Sequence, residues 1–182
     1  MAPRPLEAPS QSPPRRSSRM LPPYRHVPGL TPHPMRDPAG HSHGVAPQPL
    51  KLSAERLAES WLECEPYLYG VDLFNRAYFW EAHEAWEEVW NAVGHRSLQG
   101  RLLQGMIQVA AALLKRHLEV PRGAAGNFRK AGVHFDVVEG PLGPTVLGLD
   151  LPEWRSRVGG YLEGVSGEFP YIRLAGRPTR EL

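Results

Sequence analysis

LLQGMIQVAAALL, residues 102–114, is apolar on every side of a helix except at Gln104 and Gln108. The run is too long for a strand, and a helix apolar all round is a buried one. Extended to its natural stops, it reads as a helix from about Ser97 to Glu119, with Pro121 beyond it. A buried helix needs neighbours to cover it, so the stretch predicts an all-α bundle with this segment as the axis. The neighbours are legible on either side. AYFWEAHEAWEEVWNAV (77–93) reads as a helix from about Tyr78, stopped by Gly94, with Phe79, Ala82, Trp86, Val89, Trp90 and Val93 as its core stripe. Pro121 can open a further helix to about Val138, whose inner residues are Ala124, Phe128, Ala131 and Phe135.

Further out, Ser53 can cap a first helix that reaches about Glu65 and ends at Pro66, with Gly70 to Asn75 as a turn. Gly140, Pro141, Gly143 and Pro144 mark a loop. Asp150 and Glu153 then have capping-box spacing for a last helix to about Val165. The expected fold is thus a compact bundle of about five helices over residues 51–166, with an extended, partly docked C-terminal tail over 167–182. No strand ladder and no internal repeat is evident.

Residues 1–50 have a different texture. They hold 13 of the 20 prolines and six arginines against Glu7 and Asp37. Such composition predicts disorder to about Arg19. From Tyr24 to Gly44 the prolines are interleaved with Tyr24, Val27, Leu30 and Met35, which reads as an extended strap able to dock on the bundle. Arg15-Arg16 is not followed by an apolar stretch, so a secretory leader is not expected and the cytoplasm is the default. No run of 18 apolar residues exists, which excludes a membrane-spanning helix. The net charge of +2 implies no polyanionic partner, and without an aromatic-studded basic face nucleic acid is not an expected one. A homo-oligomer is open. The single cysteine, Cys64, excludes a disulfide framework and reads as a small helix residue.

The chemistry concentrates on the second strong helix. At about 100° per residue from Phe79, His83 lies near 40° and Glu87 near 80°, bordered by Trp90, Trp86 and Trp80. Glu81 and Glu88 fall on what reads as a solvated face, with Glu84 at its margin. Glu87 needs a partner if it is buried, and His83, one turn earlier, is the nearest. Gln104 and Gln108 are likewise one turn apart on the axial helix and must satisfy their amides. One shared cluster of His83, Glu87, Gln104 and Gln108, lined by Trp80 and Trp90, would serve both helices.

Three readings of that cluster are open. It can be a hydrogen-bond network that only fixes helix packing, in a structural or interaction module. It can bind a divalent metal, since His83 and Glu87 at i and i+4 share a face as in the helical H-E-x-x-H zinc motif, where Glu84 would be the general base. Two ligands do not complete such a site. His41 and His43 of the strap would be the added donors, with His33, His117 and His134 as other candidates. Third, His83, Glu84 and Glu87 can do acid–base or hydrolytic work on a small ligand.

The segments LFNRAYFWEAHEAWEEVWNAVG and LLQGMIQVAAALLKRHLEVPRGAAG, spanning about Leu73 to Gly126, resemble the bacterial and archaeal family called domain of unknown function 309. The resemblance rests on His83-Glu84, Glu87, Trp90, Gln104-Gly105, Gln108 and Arg122-Gly123-Ala124. It implies a small helical bundle around a central helix and no particular activity. The family pattern often has a Gly-Asn step where this chain has Glu119-Val120-Pro121. The arm before Lys51 lies outside the resemblance.

Overall fold

A computed structural model describes residues 3–46 and 48–176 of the 182. Its order is α1 (Ala54–Ser60), a short 3-10 turn (Trp61–Glu63), α2 (Glu65–Phe74), α3 (Phe79–Val93), α4 (Leu98–His117), α5 (Pro121–Leu142), β1 (Thr145–Val146), β2 (Leu149–Asp150) and α6 (Leu151–Leu162). The all-α bundle is present, with six helices among the described residues where about five were expected. α4 is its axis, packed most extensively against α5 and α3, while α2 lies on α3. The boundaries follow their caps. Ser53 Oγ accepts from Arg56 N, Ser97 Oγ from Gly100 N and Asp150 Oδ1 from Glu153 N.

The extra helix is a correction. The turn expected at 70–75 is the end of α2, which Pro66 begins rather than prevents, because a proline in the first turn removes a donor the helix does not use. Gly70 is not a breaker there. A Cβ at this position would collide with the indole of Trp86, so glycine allows α2 and α3 to approach. Tyr67, Leu73, Phe74 and Trp86, all fully buried, fill that contact.

α5 also outruns its expected end, passing Gly140 and Pro141 to stop at Gly143, whose φ of 74° is left-handed. Pro141 in the last turn removes one hydrogen bond without breaking the helix. Beyond Gly143 the chain forms a two-strand antiparallel hairpin with Val146 opposite Leu149. Its two turn residues, Leu147 and Gly148, both have positive φ, the geometry of a tight hairpin turn. Tyr67 Oη donates to Leu147 O at 2.9 Å, pinning the hairpin to α2. α6 ends at Leu162 rather than near Val165, with Trp154 and Val158 inside. The tail is extended and docked through Tyr171, Ile172 and Leu174; Arg177 to Leu182 lie outside the described residues.

The N-terminal arm departs most from expectation. In place of disorder up to Arg19, residues 3–19 lie along the bundle. Arg16 N and Ser17 N donate to the buried Asp72 carboxylate at 2.8–3.0 Å, Arg76 Nη2 to Pro13 O at 2.8 Å, and Ser12 Oγ to Asn75 O at 2.8 Å. Prolines explain how so polar a segment can dock. Each lacks an N–H to satisfy and loses less backbone freedom on ordering, while the N–H groups of Arg16 and Ser17 meet a carboxylate. The strap continues across α3, with Val27 fully buried and Leu30 left exposed. Among the described residues, no helix is long and apolar enough to cross a membrane.

Candidate functional site

The buried side of α3 is formed by Phe79, Ala82, Ala85, Trp86, Val89 and Val93, together with Glu81. This face is rotated from the expected stripe. Trp90 is only partly buried, and His83, Glu84 and Glu87 run along the half-exposed margin rather than inside an aromatic border. Their side chains are 24%, 31% and 37% exposed. His83 sits between the two carboxylates, with Nε2 3.1 Å from Glu87 Oε1 and Nδ1 3.4 Å from Glu84 Oε1. One donor atom from each of the three lies within 4.8 Å of the others, the spacing of a site able to hold a metal ion.

The helix repeat explains this convergence. Positions i and i+4 stack one above the other, and i+1 flanks them. Burial disfavours the His83 cation, but the hydrogen bond to Glu87 and the two facing carboxylates outweigh it and hold the imidazolium above its ordinary range. Glu87 moves the opposite way, held below the usual carboxylate range by the His83 hydrogen bond. Burial pushes Glu84 up, with its neighbours Glu87 and Glu81 adding to the effect and His83 opposing it. Two adjacent carboxyl groups are therefore set apart in acidity, Glu87 held down and Glu84 pushed up.

Among the described residues the other expected polar members do not bond to this triad. Gln104 and Gln108 are half-buried on α4, and among the described residues no hydrogen bond joins either to His83 or Glu87. Trp80 borders His83 edge-on at 5.5 Å between ring centres, while Trp90 stacks on His95 at 3.8 Å. His41 does dock on α3, but its Nε2 meets Glu81 at 3.3 Å. His43 is exposed and faces Met35 O at 3.1 Å. The structure thus does not bring His41 and His43 to His83 and Glu87. His33 packs against Trp80 and His26, His117 bonds Arg4 O at 2.8 Å, and His134 neighbours Arg101. Cys64 is buried, and desolvation pushes its thiol up, away from nucleophilic use.

Glu81 is the residue the sequence reading misplaced. In place of a solvated face it has a side chain 5% exposed, covered by the strap. His26 N donates to its Oε1 at 2.8 Å and His41 reaches the same oxygen, whereas Oε2 has no partner. Burial pushes this carboxyl up. Nothing in the periodicity of α3 marks Glu81 as buried, because its cover comes from residues 40 and 55 positions away.

The chain is thus a helical bundle around an axial helix, with a histidine between two glutamates on the flanking helix. Residues 67–127 match the family model described as Domain of unknown function (DUF309), in agreement with the resemblance. The matched span holds all of α3 and α4 and hence the whole triad. No curated protein matches the chain.

Proposed function

We propose that this protein binds a divalent metal ion through His83, Glu84 and Glu87, leaving coordination positions open to water or a small ligand. The convergence of three donor atoms within 4.8 Å carries this reading. One imidazole and two carboxylates suit zinc and neighbouring first-row ions, and three protein ligands with an open position are the pattern of catalytic rather than structural zinc. The partial exposure of all three side chains gives an ion access. An ion would take the place of the proton His83 holds between the carboxylates, so binding should release protons and weaken in acid. A bound ion would supply Lewis-acid activation of a water, the chemistry that hydrolysis needs.

The rival reading, a cluster that only fixes how two helices pack, has less support because the contacts of His83 with Glu84 and Glu87 stay on α3. Equilibrium dialysis of untagged protein with Zn2+ and Mn2+ tests the proposal. One ion per chain is expected, with affinity reduced about tenfold or more in His83→Ala and Glu87→Gln. Binding that is absent, or equal in the variants, would refute it.

A further inference from the structure

On the face of the molecule beside the start of α3, the N-terminal arm closes a cavity of about 540 Å³. This is within the range of small-molecule pockets, roughly 300–1,000 Å³. One wall is the arm itself, from Arg4 to Gln11. The opposite wall is aromatic: Phe79, Tyr161, Phe169 and Tyr171. These rings are fixed by one another, Phe169 lying 4.8 Å from Tyr171, 5.9 Å from Tyr161 and 6.2 Å from Phe79 between ring centres. The arm is tied down at both ends of its wall, where His117 bonds Arg4 O at 2.8 Å and Gln11 N donates to Tyr171 Oη at 3.2 Å. The pocket is therefore built jointly by the helical domain and by a segment outside the family match.

Its charge is specific. Arg116, at the last turn of α4, lies over the Tyr161 ring at 4.1 Å and has no carboxylate within ion-pair distance among the described residues. The guanidinium is thus oriented at the cavity by stacking while its N–H donors stay available. Of the two acids in the lining, Glu168 is engaged by Arg157 at 3.1 Å, which leaves Glu7 against Arg4 and Arg116. The balance is one positive charge.

We infer that this cavity is a second binding site, distinct from the His83 cluster, for a small planar aromatic monocarboxylate whose ring lies on the Phe79, Phe169 and Tyr171 wall and whose carboxylate pairs with Arg116. The aromatic wall selects a flat apolar body, and a guanidinium matches a carboxylate with two parallel hydrogen bonds. A dianion such as a phosphate monoester is disfavoured because Glu7 offsets one of the two free cations.

Titration calorimetry of the full chain with 2-naphthoate and with its neutral isostere 2-naphthamide tests this, in the presence of EDTA so that no metal at His83 contributes. The acid should bind one per chain and at least about tenfold more tightly than the amide, the scale of one charge-assisted pair. Arg116 is exposed, so Arg116→Gln should fold and erase that preference, which thermal melting of the variant verifies. In a second variant, Phe169→Ala, both ligands should weaken together. Equal affinity for acid and amide, an undiminished preference in Arg116→Gln, or no binding of the acid would each overturn the inference. Binding of 2-phenylethyl phosphate more tightly than 2-naphthoate would overturn the assignment of a monoanion.

Discussion

Asp72 is the point at which the arm is fastened, and replacing it with Asn tests whether docking depends on charge. The side chain is 1% exposed. Its oxygens accept two backbone N–H groups, from Arg16 at 2.9 and 3.0 Å and from Ser17 at 2.8 Å, with Arg15 Nε 3.7 Å and Arg76 Nη1 3.9 Å away. Asparagine keeps the volume and one acceptor, so no cavity is opened. It converts a charge-assisted acceptor, worth about 1.5–3 kcal/mol per bond, into a neutral one worth about 0.5–1.5, and turns the second oxygen into a donor facing donors. The loss should total about 2–4 kcal/mol locally. Global stability need not fall that far, because the arm can detach instead, and the penalty then stops at the free energy of docking. The sensitive readout is therefore trypsin cleavage after Arg16 and Arg19, followed by mass spectrometry. If cleavage needs the detached arm, a 2 kcal/mol loss raises its rate about 30-fold. A change of less than twofold would show that the carboxylate does not hold the arm, and that the prolines and Val27 suffice.

The His83 ring should titrate above its ordinary value of 6.5, and Glu87→Gln should lower that midpoint, which NMR of the imidazole would show. Since the folded pKa is raised, the stability this pair contributes is complete below about pH 6.5 and lost as pH rises through the folded value. Glu87, shifted down, sets the acid side: its share is present above its ordinary 4.5 and lost as pH falls through its folded value. Gly70→Ala should destabilise by about 1–2 kcal/mol in urea unfolding, the cost of displacing Trp86 less the gain in helix propensity; stabilisation would refute the close approach. Glu119→Gly should stabilise by about 0.5–1 kcal/mol in the same assay, because Glu119 holds φ 59° at the end of α4, a position glycine occupies without strain. Gln108→Leu should change stability by less than about 0.5 kcal/mol if it supports nothing on α3, and a loss of 1–3 kcal/mol would revive a shared cluster.

The turn between α4 and α5 places a non-glycine residue where glycine is unstrained. Glu119 adopts the left-handed conformation, and Val120 N closes on Lys115 O at 2.9 Å. The C-terminal lock of α4 is thus kept by geometry at some cost in strain. Pro66 and Gly70 teach the converse. Both read as breakers along the chain, yet both belong to α2, since one occupies a first turn and the other a helix crossing, and neither context is visible in local sequence.

Sequence by itself determined the all-α class, the axial role of 102–114, the caps at Ser53 and Asp150, and the partnership of His83 with Glu87. Each of these depends on spacings of a few residues, which the 3.6-residue repeat converts directly into neighbours. Tertiary structure alone decided which face of α3 is buried, where the arm goes and which histidine meets which acid. Glu81 became a core residue and His41 its partner because a strap 40 residues away covers that face, and the wheel carries no information about an outside cover. That Gln104 and Gln108 form no hydrogen bond with the triad among the described residues has a related reason. Helical spacing fixes a residue's angle on its own axis, but the rotation of one helix against another is set by the whole of the packed core.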